Sequence, residues 1–135
     1  MNHLPSPPSR SPPRHRLLVV DDDQDCADSI CEFIGLSSDW DVVAACGTEQ
    51  AISSAQLNPP DVVLMEVEMK GQDGFAFAAR LAQNRQGKIP VMLSLTANEK
   101  LCEEASMDKR FADSLMKPVD TSKLLQILAK LDALH

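Results

Sequence analysis

Val62-Val63-Leu64-Met65-Glu66 is four apolar residues closed by one carboxylate. A run this short and this apolar reads as a strand covered on both faces, the kind found in parallel sheets. Three other stretches share the form. Leu17-Leu18-Val19-Val20 is closed by Asp21-Asp22-Asp23, the run 91–95 by Thr96, and Leu115-Met116 by Lys117. Each closing residue suits phosphate or metal chemistry. In an open parallel sheet, ligands bind beyond the carboxyl ends of the strands. Four strands ending this way therefore predict one site at one edge.

Between these runs the period changes to that of helices. Ala27, Ile30, Cys31 and Ile34 fall on one helical stripe, with Gly35 near its end. Residues 41–46 read as a further strand. Thr48 is placed to cap a helix reaching about residue 57, which Asn58-Pro59-Pro60 stops. Residues 70–74 are a turn-rich loop, and Phe75, Ala78, Ala79 and Ala82 form the next stripe. A strand over 89–95, a helix over 99–107 and a short strand over 114–116 follow. Asp120 is placed to cap a last helix whose apolar face is Leu124, Ile127, Leu128 and Leu131. Five strands alternating with five helices predict an α/β domain with a parallel sheet and right-handed crossovers.

Composition bounds the rest. The 135 residues suit one domain. Residues 1–14 hold five of the nine prolines and few apolar side chains, too little to offset the entropy of ordering. Residues 1–15 are therefore expected to be a flexible tail, inert or read by a proline-binding partner, and 16–135 the folded domain. All 20 acidic residues follow position 20, whereas Arg10, Arg14 and Arg16 precede it. The chain's net charge is −7, and the remainder is more acidic, ten basic residues against 20. An acidic body argues against nucleic acid as a direct ligand and suits a cation or a basic protein surface. The four cysteines make no CxxC pair, which argues against zinc and for reduced, mostly buried thiols in a cytoplasmic protein. No apolar run approaches the roughly 20 residues of a membrane span.

Each site residue also has a plain explanation. Asp21 and Asp22 repel when both are charged, which a cation between them would relieve. They could equally be a solvated loop, and Asp23 and Asp25 suit a helix N-terminus. Glu66 could be a solvent-facing strand end. Lys117, held extended by Pro118, could be an ordinary surface lysine, and Thr96 could bond only to backbone. Their joint placement at strand ends favours a single site.

The same stretches resemble the response-regulator receiver domain from about Arg16 onward. The resemblance rests on Leu-Val-Val-Asp-Asp at 18–22, Pro-Asp-Val-Val-Leu-Met-Glu at 60–66, Met69 with Asp73-Gly74, Ile-Pro-Val-Met-Leu-Ser-Leu-Thr-Ala at 89–97, and Lys117-Pro118. It implies a flavodoxin-like doubly wound sheet of strand order 2-1-3-4-5. By family role, Asp21, Asp22 and the backbone carbonyl of Glu68 would hold Mg²⁺, with Glu66 beside them. Thr96 and Lys117 would contact a phosphoryl group, Thr96 moving on activation. The Lys117-Pro118 bond is often cis in this family. A histidine kinase or a downstream signalling protein would bind the last helix and strand, with the helix before them.

Three positions depart from the family pattern. Glu66 stands where the phospho-acceptor aspartate is expected, and its extra methylene advances the carboxylate by about 1.5 Å. A positioning error near 1 Å can cost about 10²-fold in such chemistry. Ser114 stands where many receivers carry a Tyr or Phe switch. Lys70 replaces a usual proline, where it could pair with Glu66 or weaken Mg²⁺ binding. The leading expectation is an atypical, non-enzymatic receiver acting by protein contact, with weakened or lost Mg²⁺ binding. A phosphorylation-competent, Mg²⁺-dependent receiver is the alternative. A haloacid-dehalogenase-like phosphatase is a remote third, because the later acidic pair it needs is absent.

Overall fold

The computed structural model describes residues 15–83 and 89–134. In chain order the elements are β1 (Arg16–Val20), α1 (Gln24–Ser37), β2 (Asp41–Ala45), α2 (Thr48–Leu57), β3 (Val62–Glu66), β4 (Glu68–Met69), β5 (Gln72–Asp73), α3 (Gly74–Ala82), β6 (Val91–Thr96), α4 (Glu99–Ser106), β7 (Phe111–Met116) and α5 (Thr121–Ala133). The main sheet runs β2-β1-β3-β6-β7, every pair parallel. With the small β4-β5 hairpin set aside, this is the expected order 2-1-3-4-5. Most of the proline-rich segment lies outside the described residues.

The near-continuous apolar strands follow from burial on both faces. Leu18, Val20, Val63, Met65 and Met92 face one core with Ala51, Ala55, Phe77, Ala78 and Leu81. Leu17, Val19, Leu64, Leu93 and Leu95 face the other, with Ile30, Ile34, Leu124 and Leu128. Odd and even positions thus serve different helices, so the runs show no alternation.

Several local expectations need correction. Thr48 is not a cap: α2 has Gly47 at its N-cap, and the backbone N–H of Thr48 donates to Gln72 Oε1 at 3.1 Å. On α3 the buried stripe is Phe77, Ala78 and Leu81, while Phe75 is only half-buried and meets Phe111 edge-on at 5.9 Å. The β6 strand starts at Val91, leaving Ile89 59% exposed. The β7 strand extends back to Phe111 through Ala112 and Asp113, whose mixed polarity hides it in the sequence. The four cysteines are free but not mostly buried: Cys46 is exposed and the other three half-buried. No helix among the described residues is long and apolar enough to cross a membrane.

His15, read as tail, is held against the domain. Its ring lies 5.2 Å from that of Trp40, its Nε2 2.6 Å from Asp132 Oδ1 and its Nδ1 3.8 Å from Asp61 Oδ2.

Candidate functional site

Strand register brings the closing residues together. Val20 pairs with Met65, Glu66 with Leu95 and Thr96 with Met116, so Asp21, Glu66, Thr96 and Lys117 reach one sheet edge. Three backbone bonds extend the ladder past the strands: Asp21 N–H to Ala45 C=O, Val67 N–H to Leu95 C=O, and Lys117 N–H to Thr96 C=O. Lys117-Pro118 is cis.

Three charged groups meet at the centre. Lys117 Nζ lies 2.8 Å from Asp21 Oδ2 and 2.9 Å from Glu66 Oε1. Asp21 is 0% exposed and Glu66 4%. The other oxygen of Glu66, Oε2, accepts the Glu68 N–H at 2.7 Å. Asp21 Oδ1 accepts the Asp23 N–H at 2.9 Å. Asp21 Oδ2 is buried and receives no well-directed hydrogen bond, so the Lys117 charge is what compensates it. Burial opposes the charge on Lys117, but its contacts with Asp21 and Glu66 outweigh burial and hold the ammonium above the usual lysine range.

The other expected members serve different contacts. Asp22 Oδ2 accepts the Lys70 N–H at 3.0 Å. Lys70 therefore contributes its backbone, and the cation beside Glu66 is Lys117. Thr96 is fully buried, and its Oγ1 accepts the Asn98 N–H at 3.2 Å. Ser114 Oγ is buried without a hydrogen-bond partner, as is Ser94 Oγ on the paired strand position. Asp23 caps α1 through the Cys26 N–H, with Asp25 in the first turn, as expected. Asp73 caps α3 through the N–H groups of Phe75 and Ala76. Asn98 escaped sequence reading, although an Asn just before a helix is a recognisable cap.

Receiver-type donors are all oxygen, which suits a hard cation such as Mg²⁺. Their arrangement here does not fit one. The Lys117 ammonium stands between Asp21 and Glu66, Asp22 is turned to the Lys70 N–H, and no three acidic, histidine or cysteine side chains converge on one point among the described residues.

Residues 17–129 match the family model of the response regulator receiver domain. The chain belongs to that family. Receiver domains act in two-component signalling, generally bind Mg²⁺, and work with histidine kinases and downstream proteins. Among relatives, the positive alginate biosynthesis regulatory protein of Pseudomonas aeruginosa is 28% identical over 116 residues, covering 84% of this chain and 46% of that protein. An uncharacterised 14.6 kDa protein of Leptolyngbya boryana is 29% identical over 113 residues, covering 83% of this chain and 86% of the relative. The sensor protein GacS of Pseudomonas syringae is 32% identical over 130 residues, 90% of this chain but 14% of GacS. The receiver spans about half the length of the first curated relatives it matches. Among solved structures, a candidate response regulator of Chloroflexus aurantiacus superposes with a TM-score of 0.76 at 27% identity, covering 90% of this receiver and 99% of that chain. Chemotaxis regulator CheY4 of Vibrio cholerae shares the fold, with a TM-score of 0.74 at 23% identity over 88% of this receiver and 99% of that chain.

Proposed function

We propose that this receiver signals by protein contact, without a phosphorylation cycle, and that Glu66 occupies the place of the family's acceptor aspartate. The observation that supports this reading is the engagement of both Glu66 oxygens, one by the Lys117 ammonium at 2.9 Å and one by the Glu68 N–H at 2.7 Å. An acceptor oxygen must be free to attack in line with the departing group. A carboxylate already advanced into the site and held at both oxygens is poorly set for that. It instead gives Lys117 a permanent anionic partner, imitating part of a phosphorylated site with one charge where a phosphoryl group brings about −2. Asp21, Asp22 and the Glu68 carbonyl would retain at most weak Mg²⁺ binding, because Lys117 already neutralises Asp21. Thr96 and Ser114 hold the switch positions. The partner is a histidine kinase or a downstream signalling protein that docks on the face formed by α4, β7 and α5.

Intact mass after incubation with acetyl phosphate and Mg²⁺ tests the reading, with Glu66→Asp run in parallel. One added phosphoryl group on Glu66→Asp and none on the parent chain is the expected result. Labelling of the parent chain at a rate near that of Glu66→Asp would overturn it and restore a conventional phospho-acceptor domain.

A further inference from the structure

Besides the backbone bond its carbonyl accepts from the Cys102 N–H, Asn98 makes hydrogen bonds to three different parts of the molecule. Its backbone N–H donates to Thr96 Oγ1 at 3.2 Å. Its side-chain Oδ1 accepts the Leu101 N–H at 3.1 Å and so caps α4. Its Nδ2 donates to the carboxylate of Glu68 at 3.3 Å. Glu68 in turn donates its own N–H to Glu66 Oε2. A continuous chain of bonds therefore runs from Lys117 and Glu66, through Glu68 and Asn98, to the first turn of α4. That helix forms one wall of a groove of about 370 Å³ whose lining includes Glu99, Cys102, Glu103, Phe111, Asp113 and Met116.

We infer that Asn98 is a positioning residue that couples the carboxylate cluster to the α4 wall of this groove. The amide is suited to the task because its two ends have opposite hydrogen-bonding character. The oxygen must accept to cap the helix, and the nitrogen must donate to reach a carboxylate. An amide fixed at one end orients the other, so displacement of Glu68 pulls on the atom group that caps α4. Aspartate caps a helix as well as asparagine does but has no donor. In Asn98→Asp the cap survives, the link is broken, and two carboxylates face each other. This coupling goes beyond the proposed function and holds whether or not Glu66 accepts a phosphoryl group.

The test is a double-mutant cycle read by amide hydrogen exchange of the full chain at the Leu101 N–H, with the Lys123 N–H as an internal control. Lys123 is capped by Asp120 at the start of α5 and lies outside the chain of bonds. Glu68→Ala in the parent chain should speed Leu101 exchange about two- to fivefold, the worth of one modest, partly exposed hydrogen bond to a charged acceptor. In the Asn98→Asp background the same change should slow Leu101 exchange or leave it unaltered, because it removes a repulsion and no attraction. Lys123 should be unaffected throughout. The proposal is overturned if Glu68→Ala leaves Leu101 unchanged in the parent chain. It is equally overturned if the effect is the same in both backgrounds, or if Lys123 exchange rises in step with Leu101.

Discussion

Replacing Lys117 by methionine keeps most of the side-chain length and removes the one charge that touches both buried acids. Asp21 and Glu66 oxygens that both contact Nζ, at 2.8 and 2.9 Å, remain facing each other without it. Two like charges about 6 Å apart at an effective dielectric of about 20 repel by about 3 kcal/mol. That agrees with the lower end of the roughly 3–5 kcal/mol lost when one member of a buried ion pair is removed. The lower end is appropriate because the Lys117 side chain keeps 20% exposure. For a domain of about 120 residues, about 3 kcal/mol corresponds to a fall in Tm of about 12 °C. Thermal unfolding by circular dichroism reads this directly. Glu66→Gln added to Lys117→Met should recover at least half of the loss, because it removes one of the two opposed charges. The raised pKa of Lys117 adds a sign. Stabilisation from a lysine held above its ordinary value of 10.5 is complete below that pH and fades only as pH rises through the folded value. The Tm difference between parent and Lys117→Met should therefore be level from neutral to moderately alkaline pH. It should shrink only in strongly alkaline solution. A Tm change under about 3 °C, or a Glu66→Gln change that deepens the loss, would refute the account of Lys117 as the cluster's internal counter-charge.

Two further outcomes follow from the packing and the thiols. A Cβ on Gly74 would sit 2.5 Å from Val67 Cα and 2.9 Å from its carbonyl oxygen, both backbone atoms. Gly74→Ala should thus cost about 1–3 kcal/mol in urea unfolding, and a neutral result would deny the close approach of α3 to the β3–β4 segment. Burial first, and then the Asp21 charge, pushes the Cys26 thiol up to about 11; burial and then Asp28 do the same for Cys31. Iodoacetamide at pH 8 should modify exposed Cys46 well before either, as peptide mass mapping would show, and equal rates at Cys26 would contradict its burial beside Asp21.

The parallel sheet was legible because strand burial on both faces writes itself as apolar runs, and because four of the five runs end in a conspicuous polar residue; its strand order followed only from the resemblance to receiver domains. Positions that depend on contacts distant in sequence were not legible. Thr48 looks like a cap by type, yet the cap is completed from Gln72, 24 residues away. The α3 stripe was offset because Phe75 packs sideways on Phe111. For the site, Asp21, Glu66 and Lys117 were identified from their strand ends, and the structure brings them into contact. The direction of Asp22 toward Lys70 N–H depends on the path of the β3–α3 loop, where Gly71 turns the backbone with a φ of 66°. No local pattern encodes that path.

The placement of His15 fixes a geography for the whole receiver. It sits just before β1, whose five residues span about 17 Å, and it touches Asp132 near the close of α5. Entry to the first strand and exit from the last helix thus share one pole, while Asp21, Glu66 and Lys117 lie at the other. A dye or a solid support joined at Arg16 or Asp132 would sit on the far side from the carboxylates. A receiver anchored that way presents its acidic pole to whatever approaches from solution.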